Sequence, residues 1–434
     1  MTDGVSVDGL APADTEVLKM LERFVRARLG ARAVVEGFSR VSTGRSRQNW
    51  LFDAVWELDG EQIRESLIAR RDPLGGLLQT DRAVEFGVLR ALEASPIPTP
   101  QARWLDGNGD ELGRPCLVMV RIEGSCDYFA LNGPGPVHER VDLARRLCSL
   151  LTDVHNVDWR AIGLGDRLTD PGPMASLAAL DEWELVLQRD QVEPYPELAL
   201  GAAWLRAHAP HSPRTVLVHG DFKVGNVLLG ARGDIVGLLD WELAHLGDPH
   251  EDLGWVTQPL RTKEHYIKGS WERDELLTHY ENASGHPVDR GAVHWWNVFA
   301  AYKTAVMQAS GLRAFREGRS EEHYKPTAPV LKAVLHAALG RSVQSGPAER
   351  MGPPATERDA FLAWDTSQIL TLLGLGTQTS PRDTVGANDA ARASLAEFIG
   401  GLTFDKRDDE LRSQIGGHLL QRVSMDPALA RRPV

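Results

Sequence analysis

Between residues 15 and 30, in TEVLKMLERFVRARLG, apolar side chains fall at Val17, Leu18, Leu21, Phe24, Val25 and Leu29, the stripe of one helix face, and Gly30 ends it. The period then changes to two. Trp50, Phe52, Ala54, Trp56 and Leu58 alternate along QNWLFDAVWEL, and Asp59-Gly60 predicts a tight turn into a second strand, ESLIAR. A helix is expected from Gln79 through QTDRAVEFGVLRALEA; PIPTP breaks it and releases the chain into a further strand, RPCLVMVRIEG, from Arg114 to Gly124. Strand, strand, helix and strand make a small α+β lobe.

From Pro136 onward the helical period dominates. ERVDLARRLCSLLTDVH, SLAALDEWELVLQRD, ALGAAWLRAHA and, further on, VHWWNVFAAYKTAVMQA read as helices. Short β-type runs interrupt them at Val216 to Val218, in VLLG and in IVGLLDW, so the second lobe is expected to be mostly α with a β insertion. SVQSGPAERMGPPATE, residues 342–357, is rich in Gly, Pro and polar residues and reads as a linker. Beyond it the amphipathic runs AFLAWDTSQILTLLGL, ARASLAEFIGGL and RDDELRSQIGGHLLQRVS predict a helical appendage over 358–434. A docking module, a homodimer contact and a lid on the second lobe all stay open for it.

Composition narrows the classes. With 434 residues, 42% of them hydrophobic, the chain has material for two or three domains and a sizeable core. A net charge of -12 argues against a general phosphate-backbone binder, which needs clustered Lys and Arg, so no nucleic-acid partner is expected. The acidic start, MTDGVSVDGLAPADTE, lacks the basic and apolar regions of a secretory signal. No window approaches the ~18 consecutive apolar residues of a membrane helix, so no membrane partner is expected. Cys116, Cys126 and Cys148 show no CxxC spacing, which gives no zinc site and suits a reducing cytoplasm.

The chemistry is concentrated in VLVHGDFKVGNVLLGARGDIVGLLDWELAHLGDP, Val216 to Pro249, where charged residues crowd between runs fit for an interior. HGDFKVGN lies in the loop between two short strands, a rigid place for reactive groups. Asp221 comes first, Lys223 and Asn226 follow, and the run IVGLL delivers Asp240 at its end. Phosphoryl transfer from a nucleotide needs such a set. One carboxylate orients the acceptor hydroxyl and takes its proton, while an amide oxygen and a second carboxylate hold magnesium against the phosphates. Magnesium prefers oxygen ligands and keeps several waters, so one Asn and one Asp suffice beside the phosphates.

HGDFKVGN followed by LLDWE resembles the aminoglycoside phosphotransferase family, relatives of the protein kinases that phosphorylate small molecules. The resemblance covers about residues 15 to 340. It implies a protein-kinase-like two-lobe fold, with a β-rich nucleotide-binding lobe over 15–121 and a mainly helical catalytic lobe over 122–341. It also implies Asp221 as catalytic base, Asn226 and Asp240 as magnesium ligands, Lys223 near the transferred phosphate, and Asp252 of GDPHEDLGW as anchor of the catalytic loop. His219 is expected to brace that loop, and Asp248 and Glu242 to be structural. On the nucleotide side, Ser42, Thr43, Gly44 and Ser46 of RVSTGRSRQNW offer backbone amides to phosphates.

The family pattern next expects a strand lysine paired with a helix glutamate. The matching positions here are Arg70 and Glu85, a departure, since an arginine fork grips phosphate differently from a lysine; Arg71 would point to the opposite strand face. LVMVRIEG occupies the inter-lobe hinge, where the backbone around Val120 and Ile122 would read the base, with ATP and GTP both open. For the acceptor, Trp255, Trp295, Trp296, Tyr302 and Lys303 are candidates, although a Trp-rich helix is more often core. The wording LLDWELAHLGDPHEDLG also resembles the phosphotransferase domain fused to acyl-CoA dehydrogenases and bacterial kinases of hydroxyacyl-CoA. A hydroxylated metabolite such as a hydroxyacyl-CoA is expected as acceptor ahead of the alternative, an aminoglycoside or macrolide antibiotic. A non-catalytic nucleotide-binding module is the alternative from another class. A protein kinase is disfavoured because no long activation segment follows Asp240.

Overall fold

In the computed structural model, residues 12–41, 48–73, 75, 81–320 and 326 are described. Ser42, Thr43, Gly44 and Ser46, the linker 342–357 and the appendage 358–434 lie outside the described residues.

The chain opens with α1 (Pro12–Leu29) and then builds a five-stranded antiparallel sheet from β1 (Val34–Val41), β2 (Gln48–Leu58), β3 (Glu61–Arg71), β4 (Ala102–Asp106) and β5 (Cys116–Val120), in the order β1-β2-β3-β5-β4. Asp59 and Gly60 both take positive φ, 53° and 84°, and join β2 to β3 in the two-residue hairpin that their sequence predicts. Helix α2 (Arg82–Leu92) crosses from β3 toward β4. Asp81 caps it by accepting from the Ala83 N–H, so the helix begins at Arg82 rather than at Gln79.

Strand parity sorts the residues of β3. Leu67 and Ala69 face α1 together with Trp50, Phe52, Phe24 and Leu21, while Ile68 packs on the other side with Leu89, Leu92, Leu117 and Met119. Trp50 is fully buried and its indole N–H reaches Asp14 of α1 at 3.0 Å, which locks the helix to the sheet. The alternation of β2 fades at its end, where Leu58 is exposed at the hairpin.

The second lobe is helical: α3 (Val137–Asn156), α4 (Ala175–Asp190), α5 (Pro196–Ala207), α6 (Pro249–Thr257), α7 (Thr262–His265), α8 (Arg273–Ser284) and α9 (Arg290–Arg316). Two small antiparallel ladders interrupt it, β6 (Val216–Val218) with β9 (His245–Gly247), and β7 (Val227–Leu229) with β8 (Ile235–Leu238). Helix α9 is the spine of this lobe. Trp295, Trp296, Phe299, Tyr302 and Val306 on it meet Leu180 and Trp183 of α4 and Leu198 and Leu205 of α5. A β-rich lobe thus packs against a mainly helical one, with the hinge after β5.

Strands β1, β4 and β9 are not anticipated by the sequence pattern. β4 is five residues with a register shift against β5, and β9 is three residues, HLG; neither is long enough to display a period.

Candidate active site

The segment from His219 to Asn226 leaves β6 and enters β7, two strands that belong to different ladders, so it is held from two sides. Asp252, in the first turn of α6, fixes its start. One carboxylate oxygen accepts the His219 N–H at 2.8 Å and the other the Gly220 N–H at 2.9 Å. Asp252 is itself held by His155, 3.1 Å away, whose other ring nitrogen lies 2.6 Å from the Tyr280 hydroxyl. Burial pushes the His155 pKa down, so the neutral ring donates Nε2–H to the carboxylate and accepts from the tyrosine. Burial opposes the Asp252 charge, but the His155 bond and the backbone donor bring its pKa down to about 2.

His219 braces the loop from within: its Nε2 lies 3.0 Å from the Leu239 carbonyl and its Nδ1 accepts the Asp221 N–H at 3.3 Å. Gly220 has φ of +79°, and a Cβ there would stand 2.6 Å from the Leu243 carbonyl oxygen, so glycine is required on both counts. From beneath, Lys303 of α9 donates to the Gly220 carbonyl at 2.8 Å.

Asp221 gathers the other candidates. Lys223 Nζ donates to its Oδ2, and Asn226 Nδ2 donates to its main-chain carbonyl at 3.0 Å and to its carboxylate at 3.2 Å. Burial works against the Lys223 charge, yet the adjacent Asp221 and the more distant Asp240 outweigh it and raise its pKa. The Asn226 carbonyl accepts the Leu239 N–H at 2.8 Å, which brings the residue before Asp240 onto this loop. Asp240 sits at φ 71°, a left-handed conformation rare for a non-glycine residue and of the kind found at functional sites.

Across the cleft, Arg70 projects from the face of β3 opposite to α1. Its Nη1 lies 2.9 Å from Glu85 and its Nη2 2.8 Å from Asp240. Burial opposes the Asp240 charge, but Arg70 and Lys223 hold its pKa below the ordinary aspartate range. Arg71 faces the other way, bonds Gln48 and the Leu112 carbonyl, and stacks over Trp50. Glu85 is 1% exposed and is no solvated helix residue.

At the hinge, the Val120 N–H is spent on the Gln101 carbonyl and the Arg121 N–H on the Ser66 carbonyl, both at 2.9 Å. The Ile122 side chain, just beyond the strand, lies against Gly237 of β8, where a Cβ would come within 3.2 Å of it.

The acceptor candidates separate. Trp295, Trp296 and Tyr302 are core residues; Trp295 stacks on Phe299 at 5.6 Å. Trp255 and Lys303 lie closer to the loop: Lys303 Nζ stands 5.2 Å from the Trp255 ring, and Arg261 covers the same ring at 4.4 Å. Asp248 caps α6 by accepting the His250 N–H at 2.8 Å.

Two residues at the site, Arg82 and Tyr128, escape sequence reasoning. Arg82 is buried beside Glu85, and Glu242 faces it at 3.6 Å. The signal for Arg82 was its i, i+3 spacing to Glu85 on one helix face. The ring of Tyr128 covers Gly225 inside the loop, and its position is set by the fold of a segment with no pattern of its own.

The model of the phosphotransferase enzyme family matches residues 39–296, more than half of the chain. The chain belongs to this family. Among curated proteins it is similar to mouse acyl-CoA dehydrogenase family member 10, 26% identical over 316 residues that cover 69% of this chain and 27% of that protein. Rat acyl-CoA dehydrogenase family member 11 is 28% identical over 253 residues, 55% of this chain and 32% of the relative. The chain thus spans about a third or less of these relatives' length. Among solved structures, a Ralstonia eutropha protein assigned as an aminoglycoside phosphotransferase superposes with a TM-score of 0.53 at 20% identity, covering 74% of this chain and 94% of the other. That likeness establishes the fold. No helix among the described residues is long and apolar enough to cross a membrane.

Proposed function

We propose that the protein transfers the γ-phosphate of ATP or GTP to a hydroxyl of a small molecule, with Asp221 as the base. The observation that carries this reading is the arrangement around Asp221, with Lys223 and Asn226 bonded to it on a loop pinned by Asp252. Asp221 orients the acceptor hydroxyl and accepts its proton as the new bond to the γ-phosphorus forms and the bond to the β-phosphate oxygen breaks, releasing the nucleoside diphosphate. Lys223 balances the charge of Asp221 before the acceptor arrives and meets the transferred phosphoryl group afterwards.

Magnesium fits the residues present. Asn226 spends its amide nitrogen on Asp221, which leaves its oxygen, and Asp240 supplies a carboxylate, the hard oxygen donors that this ion takes. When bound, the ion neutralises phosphate charge. Arg70, bridging Glu85 and Asp240, is placed to grip phosphate oxygens with its fork, the work of the lysine that the family pattern expects. The backbone around Val120 and Ile122 is proposed to read the base, and Ser42, Thr43, Gly44 and Ser46 to meet the phosphates.

Two acceptor classes follow from the relatives. The name of the Ralstonia eutropha protein favours an aminoglycoside, and a macrolide is the other antibiotic acceptor carried forward. The names of the curated relatives favour a hydroxyacyl-CoA or another hydroxylated metabolite. The test is nucleotide consumption in magnesium with ATP and with GTP against aminoglycosides, macrolides and hydroxyacyl-CoA thioesters, with Asp221→Ala as blank. Phosphorylation of one class, absent from the variant, establishes the reaction and the acceptor together. Nucleotide binding without transfer to any acceptor favours the non-catalytic module.

A further inference from the structure

Among the described residues, two ion bridges, not one, join the β-rich lobe to the turn that carries Asp240. The first is Arg70 with Asp240 at 2.8 Å; the second is Arg82 of α2 with Glu242 at 3.6 Å. Residues 240 and 242 flank Trp241, which is fully buried, donates its indole N–H to the Leu238 carbonyl at 3.0 Å and packs its ring against His219 at 4.7 Å. The turn is therefore rigid, and both carboxylates are presented from one fixed support.

Glu85 joins the two bridges. One of its carboxylate oxygens takes Arg70 at 2.9 Å and the other takes Arg82, while Arg82 Nε holds Asp72, just past β3, at 2.8 Å. Arg82 and Glu85 side chains are each 1% exposed. A buried carboxylate deprived of its only cation is costly. With Arg82 in place, Glu85 keeps a counter-charge when Arg70 turns toward phosphate. Arg82 Nη2 is buried without a hydrogen-bond partner, and Glu242 stands just beyond hydrogen-bond distance from it. An unsatisfied buried donor favours any movement that brings α2 and the turn together.

We propose that Arg82 and Glu242 are positioning residues that couple α2 to the Asp240 turn and, through Glu85, set Arg70 for the nucleotide. The inference rests on the reading of the cleft as a nucleotide site. In this arrangement Arg82 touches neither nucleotide nor acceptor; it acts through Glu85, and Glu242 acts through Arg82.

The test measures magnesium–ADP and magnesium–GDP binding to the full chain by calorimetry, together with acceptor KM, for wild type, Glu242→Gln, Arg82→Lys and the double variant. Glu242→Gln is isosteric and partly exposed, so it retains the fold even where Arg82→Lys does not. The expected result is nucleotide binding about tenfold weaker in each single variant, the double no weaker than either, and acceptor KM unchanged; contacting residues commonly show coupling of this size. A merely structural pair would instead move acceptor KM along with nucleotide binding. Wild-type affinity in Glu242→Gln, or additive losses in the double variant, would overturn the proposal alone. A wild-type chain that binds neither nucleotide overturns the reading of the cleft, and the proposal with it.

Discussion

Lys303 donates a 2.8 Å hydrogen bond to the carbonyl of Gly220, the residue immediately before Asp221. Its side chain is 2% exposed, and its ammonium lies 3.4 Å from Glu251, flanked by the rings of Trp183 and Trp255. The helix that forms the spine of the second lobe therefore holds the loop from below while Asp252 holds it from behind. Replacing Lys303 by Met removes the Gly220 contact and leaves Glu251 with His245 as its remaining partner. Breaking a buried pair costs several kcal/mol, so Lys303→Met is expected to lose about 3 kcal/mol in urea unfolding. An unfolding midpoint equal to wild type would show that the lysine carries no part of the loop's support.

Removal of the base separates chemistry from binding. Asp221→Ala is expected to lower turnover by about 10²- to 10⁴-fold with little change in nucleotide affinity, the span usual for loss of a general base. Steady-state kinetics with calorimetric nucleotide binding gives both quantities. Full activity in this variant would remove Asp221 from the mechanism.

Arg70 and Asp240 predict a different signature. Hydrogen bonds to charged groups contribute about 1.5–3 kcal/mol, so Arg70→Ala is expected to raise nucleotide KM by about tenfold or more. Asp240→Ala should weaken magnesium–nucleotide binding and shift the magnesium concentration needed for half-maximal rate upward. An unchanged KM in Arg70→Ala would move the phosphate contact to Lys223.

The sequence made the long elements legible and the short ones not. The alternation Trp50, Phe52, Ala54 and the stripe Val17 to Leu29 exceed one full period and match β2 and α1, whereas β9 has three residues and shows no period at all. Asp221, Lys223, Asn226 and Asp240 were visible because they lie in one continuous stretch of loop and short strand. The parity of β3 also predicted that Arg70 and Arg71 would face opposite ways, and they do. Arg82 and Tyr128 stayed hidden for a physical reason. Their roles are made by chain segments that meet only in space, Arg82 with Glu242 and Tyr128 with Gly225, and no local period records such a meeting. Trp295 and Trp296 show the reverse: an aromatic pattern suggestive of a pocket that the packing of α9 spends on the core.

His245 gives the protein a pH-dependent contribution to stability. Burial opposes its charge, but Glu251, 3.0 Å away, outweighs that and raises its pKa to about 9. An unfolded histidine titrates near ~6.5. The folded state therefore binds the proton more tightly, and the contribution is fully present below pH ~6.5 and is lost as pH rises through about 9. The side chain is 35% exposed, so solvent screening reduces the effect to about 1 kcal/mol. Unfolding free energy measured between pH 6.5 and 9 should fall in wild type and stay flatter in His245→Gln. Equal slopes in the two proteins would remove the Glu251 pair from the account.

Gly225 and Tyr128 make the most local test of how the loop is shaped. A Cβ on Gly225 would lie 2.5 Å from two atoms of the Tyr128 ring, closer than any real contact, so an alanine requires the ring to move. Tyr128 is 48% exposed and free to swing outward, but doing so separates it from the Lys223 ammonium, now 5.9 Å from the ring centroid. Gly225→Ala is therefore expected to cost about 1–3 kcal/mol of stability, as overpacking does, and to lower turnover by disturbing Lys223 and Asn226 on either side. Tyr128→Ala removes the obstacle. In the double variant most of the Gly225→Ala loss should disappear, a coupling of opposite sign to the single effects. Losses that simply add would show that the alanine harms the loop through its own backbone and that the tyrosine ring has no part in it.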